Sequence, residues 1–226
     1  MDSEKFSRRP RPETISRFAI CGILAVCSVA QAQVENDASN AGVVALDGFL
    51  ANIETLSAGF RQDVWTADNE LIETSTGTMS LRRPNQFYWH FETAPEMIVV
   101  ADGGILWSYD VELAQVTQTP LAEITAASPA MLLSGDAEWR DQFDVAGAYR
   151  LEGRDWIKLA PKSPDGDYKS VLIGFKGDLP EQLELVDGLD EVTRIEFSDI
   201  RINPALDAST FTFVPPSGAD VIGAAE

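Results

Sequence analysis

Cysteine is almost missing from this chain: Cys21 and Cys27 are the only two in 226 residues, and both sit in an apolar N-terminal run. If that run is a leader, the remaining chain carries no thiol, which excludes disulfides, cysteine-ligated zinc and thiol catalysis. Histidine occurs once, at His90. It shares a strand face with Gln86, Tyr88 and Glu92, a solvent-side setting rather than that of a general base. No HExxH, GxSxG or glycine-rich phosphate loop is present, so no enzyme chemistry is indicated and no cofactor or metal is expected. Asp136 with Glu138, or Asp187 with Asp190 and Glu191, could be imagined as paired carboxylates, but in so acidic a chain they read as turn and surface groups. Positive charge is scarce as well. Seventeen Lys and Arg stand against 36 Asp and Glu, a formal charge of −19, which argues against nucleic acid and against anionic membrane surfaces as partners. Internal repeats, linkers and low-complexity segments are also lacking.

The N-terminus reads as a secretory signal. Lys5, Arg8, Arg9, Arg11 and Arg17 precede the apolar run Phe18 to Val29, which is short for a membrane span, and Ala30-Gln31-Ala32 offers small residues where a signal peptidase cuts. Cleavage is expected after Ala32, leaving residues 33–226 as a single domain. Pro10, Arg11 and Pro12 after the arginine pair argue against twin-arginine export, and Val26 before Cys27 is a poor lipobox residue. Because the leader holds five Lys/Arg and three Asp/Glu, its loss takes the formal charge from −19 to −21.

Residues 33–40 are polar and read as loose. From Val43 to Leu56, apolar residues recur every three or four positions, predicting an amphipathic helix. Strands follow at 59–67, 74–83, 86–92, 96–101, 105–110 and 114–119, with Pro84-Asn85 and Asp102-Gly103-Gly104 as turns of an antiparallel meander. Ser128-Pro129 predicts the start of a short apolar helix ending at Gly135. Strands resume at 142–146, 155–161, 170–176, 182–187 and 193–202, and Phe211-Thr212-Phe213 before Pro215-Pro216 reads as a last edge strand. Ten or eleven strands with two or three short helices predict a curved sheet whose concave face is closed by helices.

The aromatic alternation Phe87, Trp89, Phe91 demands a cover, either a core or a guest. Phe60, Met79, Leu81, Phe87, Trp89, Phe91, Ile98, Val100, Leu106 and Trp107 are the candidate lining of an apolar cavity. Strand parity leaves two choices open, because Ile98, Val100 and Leu106 could face away with Val99 or Trp107 facing in. Arg82 falls on the solvent face of its strand with Thr78 and Ser80. Arg83 ends the apolar row of Met79 and Leu81, where a guanidinium must find acceptors or snorkel to water.

Phe60-Arg61-Gln62, Gly77, Arg83-Pro84-Asn85-x-Phe87-x-Trp89, Asp102-Gly103 with Leu106-Trp107-x-Tyr109, Gln115-Val116-Thr117, Ser128-Pro129-x-Met131-Leu132, Pro161-Lys162 and Phe211-Thr212-Phe213-x-Pro215-Pro216 occur in an order and spacing that resembles the outer-membrane lipoprotein carrier (LolA) family. The likeness runs from about Val43 to Ile222. It implies a mainly β fold, an incomplete antiparallel β-barrel with a lid of short α-helices over an apolar cavity. It further implies a soluble, monomeric periplasmic chaperone that binds the acyl chains of lipoproteins. An inner-membrane ABC-type release complex would be the donor, and an outer-membrane receptor lipoprotein, where present, the acceptor. Arg83 matches the arginine that holds the lid closed in the cargo-free carrier. A lipid- or protein-sensing domain of the same half-barrel fold, which shuttles nothing, is the alternative.

Overall fold

A computed structural model describes residues 27–124, 129–135, 138–163 and 166–223. Helix α1 (Cys27–Asn52) takes in residues 33–40, expected to be loose, and stops before the predicted Leu56. It ends early because the Asn203 carboxamide, at the far end of the sequence, accepts hydrogen bonds from the amides of Glu54 and Thr55 and donates one to the Asn52 carbonyl. That side chain takes the place of the next helical turn and turns the backbone into strand β1 (Thr55–Trp65). Leu56 therefore serves the sheet, while Ala45, Leu46, Phe49 and Leu50 form the buried stripe of α1, continued by Ile53 just past its end.

Eleven more strands complete one sheet: β2 (Leu71–Arg82), β3 (Gln86–Phe91), β4 (Met97–Asp102), β5 (Ile105–Asp110), β6 (Gln115–Pro120), β7 (Phe143–Leu151), β8 (Arg154–Pro161), β9 (Tyr168–Lys176), β10 (Leu179–Asp187), β11 (Val192–Ile202) and β12 (Asp220–Ile222). Their spatial order is β12-β6-β5-β4-β3-β2-β1-β11-β10-β9-β8-β7. All neighbours are antiparallel except β12, which runs parallel to β6. The two outermost strands, β12 and β7, do not pair with each other, so the sheet curls without closing and is an incomplete barrel. Helix α1 packs over β7 to β10, while the short helix α2 (Pro129–Ser134) leans on β2 and β3. The Ser128 cap and the Met131 side chain expected for α2 lie outside what is described.

Register settles which residues share the concave face. Leu56 pairs with Leu81, Ala58 with Met79 and Phe60 with Gly77 across β1 and β2; Leu81, Met79 and Gly77 then face Phe87, Trp89 and Phe91 on β3. Gly77 is the gap in this layer. A Cβ there would fall on the His90 carbonyl oxygen and press on the Phe60 ring at 3.0 Å. Without it the Phe60 and Phe91 rings meet edge to face across the glycine, centroids 5.1 Å apart. This face, with the stripe of α1 and with Leu132 and Leu133 of α2, makes one continuous core.

The tail departs from the sequence reading. Phe211 closes a 3-10 turn (Ala208–Phe211) instead of lying in an edge strand, and the last strand comes after the two prolines, at Asp220–Ile222. Residues 208–213 form a strap across the convex face. Phe211 is buried there, and the Phe213 ring sits 5.7 Å from Trp107 and 6.0 Å from Tyr109. Arg82, expected to be merely solvated, stacks on Phe211 at 4.7 Å and donates to the Gln86 side chain at 2.8 Å. Val100, Val116 and Phe211 are thus buried apart from the main core, in a second apolar layer outside the sheet.

Candidate functional site

An apolar cavity of about 330 Å³ opens on the concave face between the β3–β5 wall and the β9–β11 wall. Phe87, Trp89, Phe91 and Leu106, from the sequence-derived set, line it. Phe60, Met79 and Leu81 share that face but are packed into the core beneath the lid. Ile98, Val100 and Trp107 are not brought to the cavity. Phe87 pairs with Ala101, Trp89 with Val99 and Phe91 with Met97, and Val99 in turn pairs with Ser108 and Ala101 with Leu106. This register sends Ile98, Val100 and Trp107 to the convex face. Trp107 there donates its indole N–H to Asp102 at 3.1 Å, under the strap.

Val99, left open by strand parity, also lines the cavity, and the lining residues that sequence reasoning missed are Gln62, Met97, Tyr168, Leu185, Thr193 and Ile195. Strand β4 is apolar at Ile98, Val99, Val100 and Ala101 alike, so alternation alone cannot orient it. The five residues between Phe91 and Met97 decide its parity, through the pairing they impose. The opposite wall comes from the β10–β11 hairpin, where Leu185 pairs with Thr193, and it reaches the cavity through the pairing of Gln62 with Ile195, a contact remote in sequence.

Arg83 sits where both helices end. Its Nε donates to the Gly135 carbonyl at 3.1 Å, Nη2 to Leu133 at 2.7 Å, and Nη1 to Ile53, with Phe49 at the limit of reach, 3.5 Å away. These carbonyls lie at the C-terminal ends of α1 and α2, the negative ends of both helix dipoles; the Phe49 carbonyl also accepts from the Ile53 amide at 3.2 Å. The guanidinium also lies 4.4 Å over the Phe49 ring. Burial pushes its pKa down to about 10, so it stays charged at neutral pH. One side chain therefore joins α1, α2 and the start of the β2–β3 turn, whose Asn85 amide donates to Ser134.

A second tie holds α1 from outside. Asp47 accepts two bonds from Arg140, both 2.8 Å, and one from the Trp139 indole at 3.0 Å. The hydrogen bond from Arg140 draws the Asp47 carboxyl below its ordinary value. A carboxylate with a depressed folded pKa contributes stability above its unfolded pKa and loses it as pH falls through the folded one. The pair is well exposed, so its contribution is at most about 1 kcal/mol. Asp47→Asn should accordingly lower stability slightly at neutral pH, and chemical unfolding of both proteins should converge below the ordinary carboxylate range. A difference that persists undiminished in acid would show that the loss is not electrostatic.

His90 lies on the convex side, bonded to Glu96 at 2.8 Å. Asp187 caps its own turn, accepting from the amides of Leu189 and Glu191, and Asp190 pairs with Lys169 at 2.7 Å. Asp136 lies outside the described residues. No helix among the described residues is long and apolar enough to cross a membrane.

The family described as "Outer membrane lipoprotein carrier protein LolA" matches residues 51–214. Among curated relatives, an outer-membrane lipoprotein carrier protein of Methylobacillus flagellatus is 37% identical over 182 residues, covering 80% of this chain and 89% of its own. Those of Dechloromonas aromatica and Methylococcus capsulatus are each 39% identical, over 186 and 176 residues, covering 82% and 78% of this chain and 89% and 85% of theirs.

Proposed function

From the premise that this chain belongs to the LolA family of outer-membrane lipoprotein carrier proteins, we propose that it works by taking the acyl chains of its cargo into the cavity of the concave face and on into the part of that face covered by α1 and α2. It is a lipoprotein chaperone, and the family is one of carriers rather than of enzymes. The observation that carries the cavity reading is the coincidence of an apolar recess with two helices whose ends are joined through one cation, Arg83. Each buried methylene contributes about 0.8 kcal/mol, so an acylated anchor crosses water only inside an apolar container. The recess, about 330 Å³, is at the small end of the roughly 300–1,000 Å³ typical for drug-sized ligands. A multiply acylated anchor is larger than such ligands, so loading has to lift the helices and break the bonds of Arg83. The closed lid then competes with cargo and favours its release.

On this reading the mature chain begins at Gln33 and acts as a monomer in the periplasm. It receives lipoproteins from an inner-membrane ABC-type release complex and hands them to an outer-membrane receptor lipoprotein where one exists. Its acidity suits basic partner surfaces and leaves it without affinity for nucleic acid. The test is to recover the protein from a periplasmic extract and weigh it intact, with whatever accompanies it. The expected result is an unmodified chain starting at Gln33, part of it carrying triacylated lipoprotein. A diacylglycerol-sized increment on Cys27, or recovery free of acylated cargo while lipoproteins are being exported, would overturn the reading.

A further inference from the structure

Trp89 has an indole N–H with no acceptor among the described residues. The side chain is 6% exposed, lines the cavity, and is clamped by aromatic rings: Phe91 stacked at 6.2 Å and Phe60 edge-on at 5.3 Å. Three other tryptophans have conventional acceptors, Trp107 on Asp102, Trp139 on Asp47 and Trp156 on the Leu151 carbonyl. Trp65 also lacks one, but it is not part of the cavity lining. A buried donor left unpaired is costly, and an N–H directed at the Phe60 ring would recover only a fraction of a hydrogen bond. Phenylalanine would fill the same apolar layer without that cost.

We infer that the Trp89 indole N–H is a specificity element for cargo: it donates to an ester carbonyl oxygen of the glyceryl-linked acyl chains on the lipoprotein's N-terminal cysteine. Indole is a donor only, so its partner must be an acceptor, and along the glyceryl-linked chains the strong acceptors are the ester carbonyls. Hydrocarbon alone cannot satisfy it, and an ether oxygen does so weakly. The contact fixes how deep the chains lie, with the linkage at the level of Trp89. The inference rests on the carrier reading.

The test compares wild type with Trp89→Phe for binding of two synthetic lipopeptides identical except that the chains are ester-linked in one and ether-linked in the other. Displacement of a hydrophobic fluorescent probe reports affinity. Trp89→Phe should weaken the ester lipopeptide about five- to tenfold, the size of one net hydrogen bond, and change the ether analogue less than about twofold. In wild-type protein the Trp89 indole proton resonance should move downfield on loading with the ester and stay nearly in place with the ether, a readout that requires no variant. Equal losses on both lipopeptides, or an indole proton that ignores the linkage, would reduce Trp89 to a ring that packs and leave the carrier reading standing. Failure of wild type to bind either lipopeptide would remove the carrier reading and this inference together.

Discussion

Arg83→Leu is expected to take up lipoprotein at least as tightly as wild type and to pass less than roughly a tenth as much of it to acceptor membranes. The variant loses donors to the Ile53, Leu133 and Gly135 carbonyls and the cation stacked on Phe49. Each charge-assisted bond contributes roughly 1.5–3 kcal/mol to the closed state, and every 1.4 kcal/mol is about a tenfold bias between closed and loaded forms. Removing the bias leaves cargo with less to compete against, and leucine adds apolar surface of its own. Lysine should restore transfer only in part, because one ammonium lacks the planar fork that reaches the ends of both helices. Purified carrier loaded with radiolabelled lipoprotein and mixed with outer-membrane vesicles supplies the measurement. Wild-type transfer by Arg83→Leu after normal loading would mean that the guanidinium only packs there.

The second large effect is expected at Phe91. Phe91→Glu should abolish acyl-chain capture, weakening binding by more than about 100-fold, while the protein remains folded. Phe91 is only half-buried, at the end of the row and beside the cavity. A carboxylate there stays hydrated when the cavity is empty and has to be stripped of water, at several kcal/mol, when hydrocarbon enters. The same change at Phe87 is a different experiment, since Phe87 is 3% exposed and its carboxylate would be buried in the empty protein too. Ile98→Thr, on the convex side of the neighbouring strand, should leave capture unchanged. Equal binding of the fluorescent probe by Phe91→Glu and wild type would exclude Phe91 from the site.

The sheet was legible because turn residues punctuate it. Strand β5 occupies Ile105–Asp110 as read from the residues, and most others differ by a few residues at their ends. What sequence could not supply was long-range. The end of α1 depends on Asn203, some 150 positions away, whose side chain bonds Glu54 and Thr55. The parity of β4 depends on how the turn before it registers Val99 against Trp89. The strap depends on aromatic partners, Trp107 and Tyr109, that a strand reading of Phe211 and Phe213 did not provide. At the site, Phe87, Trp89, Phe91 and Leu106 were visible because they sit near one motif, whereas Tyr168, Leu185, Thr193 and Ile195 arrive from a wall built a hundred residues later. Arg83 was readable as a charge ending an apolar row. Its specific acceptors could only come from seeing two helices finish at the same place.

The apolar layer under the C-terminal strap bears on how such a protein survives being opened. If α1 and α2 swing away, the concave face loses its cover, and a sheet with only that core would risk melting with its lid. Val100, Val116 and Phe211 are buried on the other side and take no part in that exposure. Strands β3 to β6 are thus anchored as a cooperative unit of their own, with local opening of the lid as a separate, lower-energy excursion. Amide hydrogens in the middle of β4 should exchange with solvent only through global unfolding, even under conditions in which the amides of α1 and α2 exchange through local opening.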